Sequence, residues 1–325
     1  MSVALDTDAA LARHGADAIA KGSKSFAFAS LLFGRDMQAD VHMLYAWCRH
    51  CDDVIDGQTF GGDAPGAMPK REREARLQML REQTRKAILG ERTGDPAFDG
   101  FGAVAARRGI PECYAMDLLD GFALDVEARN YATLDELMTY CYGVAGVVGV
   151  MMAIVMGVDA QDDETLDRAC DLGLAFQLTN ICRDVIDDAK GGRIYLPLDW
   201  LAAEGVAGQA EALLEPVNRE ALSCVAAKTL SAAERYYNSA SVGARRLPLR
   251  AAAAVLAARN VYRAIGRKVR DRGSQAWDDR AFTSKPQKIA LALAGAGDAL
   301  AQQSFLRNRP LETRDDLWRR PRRKG

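Results

Sequence analysis

Apolar residues recur at intervals of three and four along most of the chain, as in residues 249–269, where Ala, Leu, Val and Ile alternate with Arg in turns. That spacing gathers apolar side chains on one face of a helix. The period-two alternation of a half-buried strand, rich in Val, Ile and Thr, is nearly absent. Prolines leave residues 1–64 and 112–196 free of helix breakers. Ser284, followed by Pro286 and Gln287, reads as an N-cap with its capping-box partner, opening a helix that runs toward Phe305. Gly and Pro mark loops at residues 57–70, 90–96, 190–197 and 245–250. No interdomain linker and no internal repeat is visible. The pattern predicts an all-α fold, one domain over residues 1–306, followed by a short tail.

One stretch departs from amphipathic alternation. Residues 137–158, LMTYCYGVAGVVGVMMAIVMGV, carry no charge over 22 positions, more than the roughly 18 that mark a candidate membrane span. Gly143, Gly146 and Gly149 recur at spacing three, Gly157 follows, and no basic cluster flanks the segment. Glycines so spaced let a helix approach its neighbours closely. The expectation is a buried central helix rather than a span.

Two helical segments carry polar stripes where a core face belongs. In LYAWCRHCDDVID (44–56), Tyr45, Arg49, Asp52 and Asp56 are spaced 4, 3, 4; in ACDLGLAFQLTNICRDVIDD (169–188), Gln177, Asn180, Asp184 and Asp188 are spaced 3, 4, 4. Each set lies along one side of a helix. Leu44, Trp47, Cys48, Cys51 and Ile55 flank the first stripe, and Leu174, Phe176, Leu178, Ile181 and Val185 the second. A solvated face would mix Lys and Glu. These stripes use short oxygen donors and rigid hydrogen-bonders, and Asp is a poor residue inside a helix. Aspartates one turn apart repel unless a cation lies between them. The pattern, with Asp53 and Asp187 adding charge, predicts a paired metal site. All-oxygen donors suit Mg²⁺ or Mn²⁺, and three histidines (14, 42 and 50) are too few and scattered for zinc. Mg²⁺ commonly fills its shell with substrate phosphate, so a diphosphate is the expected ligand. Arg49, Arg183, Lys190 and Arg193 are at hand to hold it.

Composition narrows the setting. The 325 residues hold 43 Lys and Arg against 44 Asp and Glu, a net charge of −1, with 49% hydrophobic residues. This balance excludes intrinsic disorder and gives no support for nucleic-acid binding. Seven irregularly placed cysteines suit reduced thiols, and the N-terminal residues lack a basic region leading into an apolar core, so a cytoplasmic setting is expected. The Cys48-x-x-Cys51 pair sits mid-helix rather than at a helix start after a strand, which predicts buried thiols instead of a redox pair. Gly295 and Gly297 follow no strand, so no dinucleotide fingerprint is supported. The tail, 307–325, has eight basic residues against Glu312, Asp315 and Asp316. It is expected to be flexible and solvated, the other reading being a contact for anionic membranes.

Taken together, KGSKSFAFAS (21–30), the two aspartate segments, YCYGVAGVVGVMM (140–152), GRIYLP (192–197) and VYRAIGRKV (261–269) resemble the squalene/phytoene synthase family. The resemblance spans about residues 15–300 and rests on the combination, since either aspartate motif alone is weak. It implies an isoprenoid synthase-type fold of antiparallel helices around a central cavity. It implies that two geranylgeranyl diphosphates join through prephytoene diphosphate to give phytoene, a step of carotenoid biosynthesis, with other enzymes of that pathway as possible partners. Family metal ligands map onto Asp52, Asp56, Asn180, Asp184 and Asp188. Diphosphate contacts map onto Ser23, Lys24, Ser25, Arg49, Arg183 and Arg193. The cavity wall maps onto Phe26, Tyr45, Tyr140, Val144, Ala145, Gly149 and Gln177, and Tyr262 and Arg280 are carried over less directly. Among these, Tyr45, Arg49, Tyr140 and Arg183 would act in catalysis.

The residue chemistry fits such a reaction. Cations neutralise a departing diphosphate, and the allylic cation left behind needs a dry pocket. The uncharged helix can wall that pocket, with its glycines leaving room for prenyl chains and Phe26, Tyr45 and Tyr140 offering aromatic faces. The base for the two proton losses stays open between diphosphate and a tyrosine with metal-bound water. No nicotinamide site is evident, so no NADPH requirement is expected. Lipid substrates suggest transient contact with a membrane surface. Other readings are a head-to-tail prenyl synthase or terpene cyclase, since Asp52 to Asp56 also fits DDxxD; a squalene or dehydrosqualene synthase using farnesyl diphosphate; and a noncatalytic scaffold.

Overall fold

The computed structural model describes residues 2–57, 68–305 and 309–322. Most of the expected 57–70 loop, and Arg307, Arg323 and Lys324 of the tail, lie outside them. Among the described residues there are helices, turns and loops but no strand. In chain order the helices are α1 (Ser2–Gly22), α2 (Lys24–Ser30), α3 (Arg35–Asp56), α4 (Lys70–Ile88), α5 (Pro96–Arg108), α6 (Glu112–Val126) and α7 (Leu134–Cys141). There follow α8 (Val147–Val155), α9 (Asp163–Lys190), α10 (Leu198–Ala203), α11 (Ala210–Leu214), α12 (Arg219–Gly243), α13 (Leu249–Arg272) and α14 (Lys285–Phe305). The capping box forms as expected: the Ser284 amide donates to Gln287 Oε1 at 3.0 Å, and the Gln287 amide to Ser284 Oγ at 3.4 Å.

The flanks of both aspartate stripes are core. Leu44, Trp47, Cys51 and Ile55 on α3 and Leu174, Leu178, Ile181 and Val185 on α9 are all buried. Trp47 stacks on Phe101, ring centroids 3.9 Å apart, and its indole N–H reaches Thr84. Burial pushes the Cys48 and Cys51 thiols well above their ordinary pKa, which keeps both protonated and poor nucleophiles.

The uncharged segment forms α7 and α8, joined by a π-helical turn over Tyr142–Gly146. By length and composition Leu134–Val155 could cross a membrane, but 67% of its apolar window is buried inside the fold. Its glycines serve packing more than ligand space. A Cβ on Gly143 would stand 2.6 Å from the Gly121 backbone of α6, one on Gly146 would stand 2.9 Å from Cys170 Sγ, and one on Gly149 would run into the Ala169 carbonyl of α9. The close approach of helix backbones, rather than room for a prenyl chain, is what these positions require. The wide π turn leaves Val144 and Ala145 facing the central cavity, and Val148 joins them from α8.

The tail departs from expectation. Instead of fraying, the described part of it runs along the first half of α9, where Asp163, Asp167 and Asp171 follow at intervals of four. Arg314 binds Asp171 at 2.6 Å and Asp167 at 3.2 Å. Arg320, only 4% exposed, binds Asp167 at 2.8 Å and also pairs with Asp163, while Arg322 binds Asp167 at 2.7 Å. Trp318 lies against Tyr142. Two buried carboxylates, Asp167 and Asp171, and the exposed Asp163 on one helix face repel unless paired, and the tail supplies the charges.

Removing one of these arginines should therefore destabilise the fold. Arg320→Ala leaves Asp167 with two of its three arginines, and we expect a loss of roughly 2–3 kcal/mol, or a Tm lower by about 4–10 °C. Arg319→Ala, at an exposed neighbour that makes a 3.7 Å contact to Asp315 among the described residues, should shift Tm by about 1 °C. Equal melting of Arg320→Ala and the parent in differential scanning calorimetry would refute the clasp.

Candidate active site

A cavity of about 790 Å³ runs between α2, α3, α8, α9 and α13. Arg280 and Phe282 line it while exposed to solvent, so the cavity opens beside them. The α3 stripe presents Tyr45, Arg49 and Asp52 to it, and α9 presents Gln177, Asn180 and Arg183. Ser23, Lys24, Ser25 and Phe26 reach it from the start of α2, where Ser23 Oγ caps the Phe26 amide at 3.3 Å. Tyr140, Val144, Ala145 and Gly149 line a further side, and Tyr262 comes from α13. Asp56, Asp184, Asp188 and Arg193 lie off the wall, beside these groups.

The deeper wall is apolar and aromatic. Phe26 packs edge-on to Phe176 at 5.7 Å, Phe176 stacks on Tyr262 at 4.2 Å, and Tyr45 closes the group at 6.2 Å from Phe26. Phe176, which the stripe analysis placed among core flanks, is thus also part of the site. Leu118, Phe122, Met152 and Met156 extend the lining.

Charge is concentrated beside these rings. Arg49 bridges Asp52 at 3.0 Å and Asp53 at 2.6 Å. Arg193, in the loop after α9, crosses to α3 and binds Asp56 at 2.6 Å, joining the two stripes. Asp184 receives Arg183 Nε at 2.8 Å and both Arg280 Nε and Nη2, at 3.1 and 3.0 Å. Asp187, by contrast, turns to solvent with Lys190. Burial pushes Asp52 up to about 7; Arg49 opposes this, while Asp56 and Asp125 add to it. Burial likewise pushes Asp188 up to about 7, helped by Asp184 and Asp125. Carboxylates on three helices thus crowd each other beyond what the arginines neutralise.

Among the described residues no three His, Cys, Asp or Glu side chains converge as a ready-made cage. The donors fit a hard divalent ion of another kind, one bound by one or two carboxylates with water and phosphate oxygens completing its shell. Asn180 Oδ1 is buried without a hydrogen-bond partner and lines the cavity, an acceptor positioned for such an ion.

One carboxylate of the cavity wall escaped the sequence reading. Asp125, near the end of α6, lines the cavity and accepts hydrogen bonds from Tyr195 Oη at 2.8 Å and Tyr140 Oη at 3.1 Å. It belongs to no spaced motif, and its partners lie 15 and 70 residues away. The only local signal was that Tyr195 follows Arg193 in the Gly-rich loop.

An all-helical shell with paired aspartate and arginine clusters at the mouth of an apolar cavity is the architecture of isoprenoid synthases. The chain belongs to the squalene/phytoene synthase family, which its residues 19–287 match. It is 50% identical to the 15-cis-phytoene synthase of Pantoea ananas, covering 96% of this chain and 98% of that one. It is 52% identical to the 15-cis-phytoene synthase of Enterobacter agglomerans, covering 92% and 99%. Among solved structures, a dehydrosqualene synthase with bound ligand superposes with a TM-score of 0.79 at 26% identity, over 90% of this chain and 98% of that one. A squalene synthase from Alicyclobacillus acidocaldarius gives 0.71 at 25% identity, over 83% and 96%.

The raised carboxyls give a pH dependence with a definite sign. Between the ordinary carboxylate range and about 7, the folded, metal-free protein holds protons on Asp52 and Asp188 that the unfolded chain has lost. Their contribution to stability therefore falls as pH rises through that window. A divalent ion replaces those protons, so the rise in Tm on adding saturating Mg²⁺ to stripped protein should grow from about pH 5.5 to about pH 8. A Tm increment independent of pH would show that these carboxyls do not take the ion.

Proposed function

We propose that this enzyme is a phytoene synthase that joins two geranylgeranyl diphosphates head to head. The allylic C–O bond of one substrate ionises and releases diphosphate. The double bond of the other attacks the cation, and loss of a proton gives prephytoene diphosphate. Loss of the second diphosphate, rearrangement and loss of a second proton give phytoene. The observation that carries the reading is that the arginine and aspartate clusters adjoin one cavity whose remaining lining is aromatic and apolar, so that a diphosphate and a prenyl chain would find their partners side by side. The choice of a C20 substrate rests on the bacterial relatives of known name.

Asp52, Asp56, Asn180, Asp184 and Asp188 would hold Mg²⁺ or Mn²⁺. When bound, the ion neutralises charge as it develops on the leaving diphosphate. Arg49, Arg183, Arg193 and Arg280, each now on a carboxylate, would share their donors with diphosphate oxygens, for which a guanidinium fork is well matched. Ser23, Lys24 and Ser25 would add donors from the start of α2. Phe26, Tyr45, Phe176 and Tyr262 line the cavity, where an aromatic face would stabilise a passing cation and exclusion of water would keep it from being quenched. Gln177, Val144, Ala145 and Gly149 would shape the channel. We further propose that the protein works in the cytoplasm without NADPH, touching membranes transiently to take up substrate and release product.

Purified protein with Mg²⁺ and C20 diphosphate should form a C40 hydrocarbon without NADPH, identified by mass spectrometry. Asp52→Asn and Asp184→Asn should each lower turnover by at least about 10²-fold while leaving the circular dichroism spectrum unchanged. A C30 product from C15 diphosphate alone would replace the substrate assignment. Parent-like turnover in either variant would remove that residue from the site.

A further inference from the structure

Asp125 lies in neither aspartate stripe, yet a hydrogen-bonded chain joins it to both the ionic cluster and the cavity wall. Asp56 binds Arg193 at 2.6 Å, Arg193 Nη1 donates to Tyr195 Oη at 3.5 Å, Tyr195 Oη donates to one Asp125 oxygen, and Tyr140 Oη donates to the other. The rings are clamped as well as their hydroxyls. Tyr140 and Tyr195 stack at 5.1 Å with 19° between planes, and Tyr131 packs on Tyr140 from a further side at 5.1 Å.

We infer that Asp125 is a positioning residue: by accepting the hydroxyl protons of both tyrosines it fixes which way the Tyr140 hydroxyl points. Asp125 accepts from both phenols, Tyr195 on one oxygen at 2.8 Å and Tyr140 on the other at 3.1 Å, which draws both O–H groups toward it. The Tyr140 oxygen is then left with lone pairs, and no proton, for the cavity that Tyr140 lines. Negative dipole ends facing the cavity favour positive charge developing there. The device therefore rests on the cation chemistry proposed above, and gives Tyr140 its orientation before substrate enters. Tyr195 holds the carboxylate in place from behind, since it touches Asp125 without lining the cavity.

Asp125→Asn tests this without changing shape. An amide accepts on one arm and donates on the other, so one of the two phenols must turn its proton away. We expect kcat to fall about 10²-fold while KM for the C20 diphosphate stays within about threefold and Tm within a few degrees. Tyr195→Phe, which keeps the bond between Asp125 and Tyr140, should lose less than about tenfold. A second readout is independent of turnover: with ¹³Cζ-labelled tyrosine, the Tyr140 and Tyr195 signals, assigned from the Tyr→Phe variants, should move in Asp125→Asn. An Asp125→Asn kcat within about twofold of the parent, a rise in KM alone, or unmoved tyrosine signals would each overturn the assignment. Absence of turnover in the parent enzyme would instead sink the functional reading, and the labelled spectra would then decide the role of Asp125.

Discussion

Carboxylates placed close together on helices, partly out of water, must find positive charge, and much of this structure follows from how that demand is met. Helix α9 poses the problem twice. Asp163, Asp167 and Asp171 recur every four residues along its first half, and Asn180, Asp184 and Asp188 repeat the interval along its second. The first row is covered by Arg314, Arg320 and Arg322, which are committed to it within the fold. The second row, with Asp52 and Asp56 of α3, is only partly answered. Its arginines come from neighbouring positions and loops, Asn180 Oδ1 has no partner among the described residues, and burial pushes the Asp52 and Asp188 carboxyls up to about 7. One arrangement is a clasp. The other is a site with charge still to be supplied.

That unfinished neutralisation acquires meaning from what lies beneath it. Phe26, Phe176 and Tyr262 form an aromatic floor to the ionic mouth, and α8 closes a further side with side chains that carry no charge. Gly143, Gly146 and Gly149 allow that wall to pack tightly against α6 and α9. Polar and apolar groups are thus held on rigid helices a few turns apart, which suits a substrate with a charged head and a hydrocarbon tail.

The elements and stripes were legible because each is local. Periods of three and four, the Ser284 and Gln287 capping pair and the two aspartate rows are written in residues within a few turns of one another. The resemblance to the family added the α2 residues and the cavity wall, and the fold brings those residues to one space. What escaped notice depends on distant pairing. Arg320 is more than 150 residues from Asp167, so a basic tail looked like a solvated one. Asp125 sits in an ordinary amphipathic helix and is marked only by tyrosines brought to it from α7 and the loop after α9. The glycines of the uncharged helix were read correctly as close-packing residues, but whether they faced ligand or protein required knowing what lay beyond them.

The central claim is that the aspartate and arginine cluster is a diphosphate site completed by a divalent ion. Calorimetric titration of metal-stripped protein with inorganic diphosphate, with and without Mg²⁺, tests it directly. The account predicts weak binding without the ion, because the arginines are engaged by carboxylates, and at least about tenfold tighter binding with it. Equal affinity in Mg²⁺ and in excess chelator would contradict it.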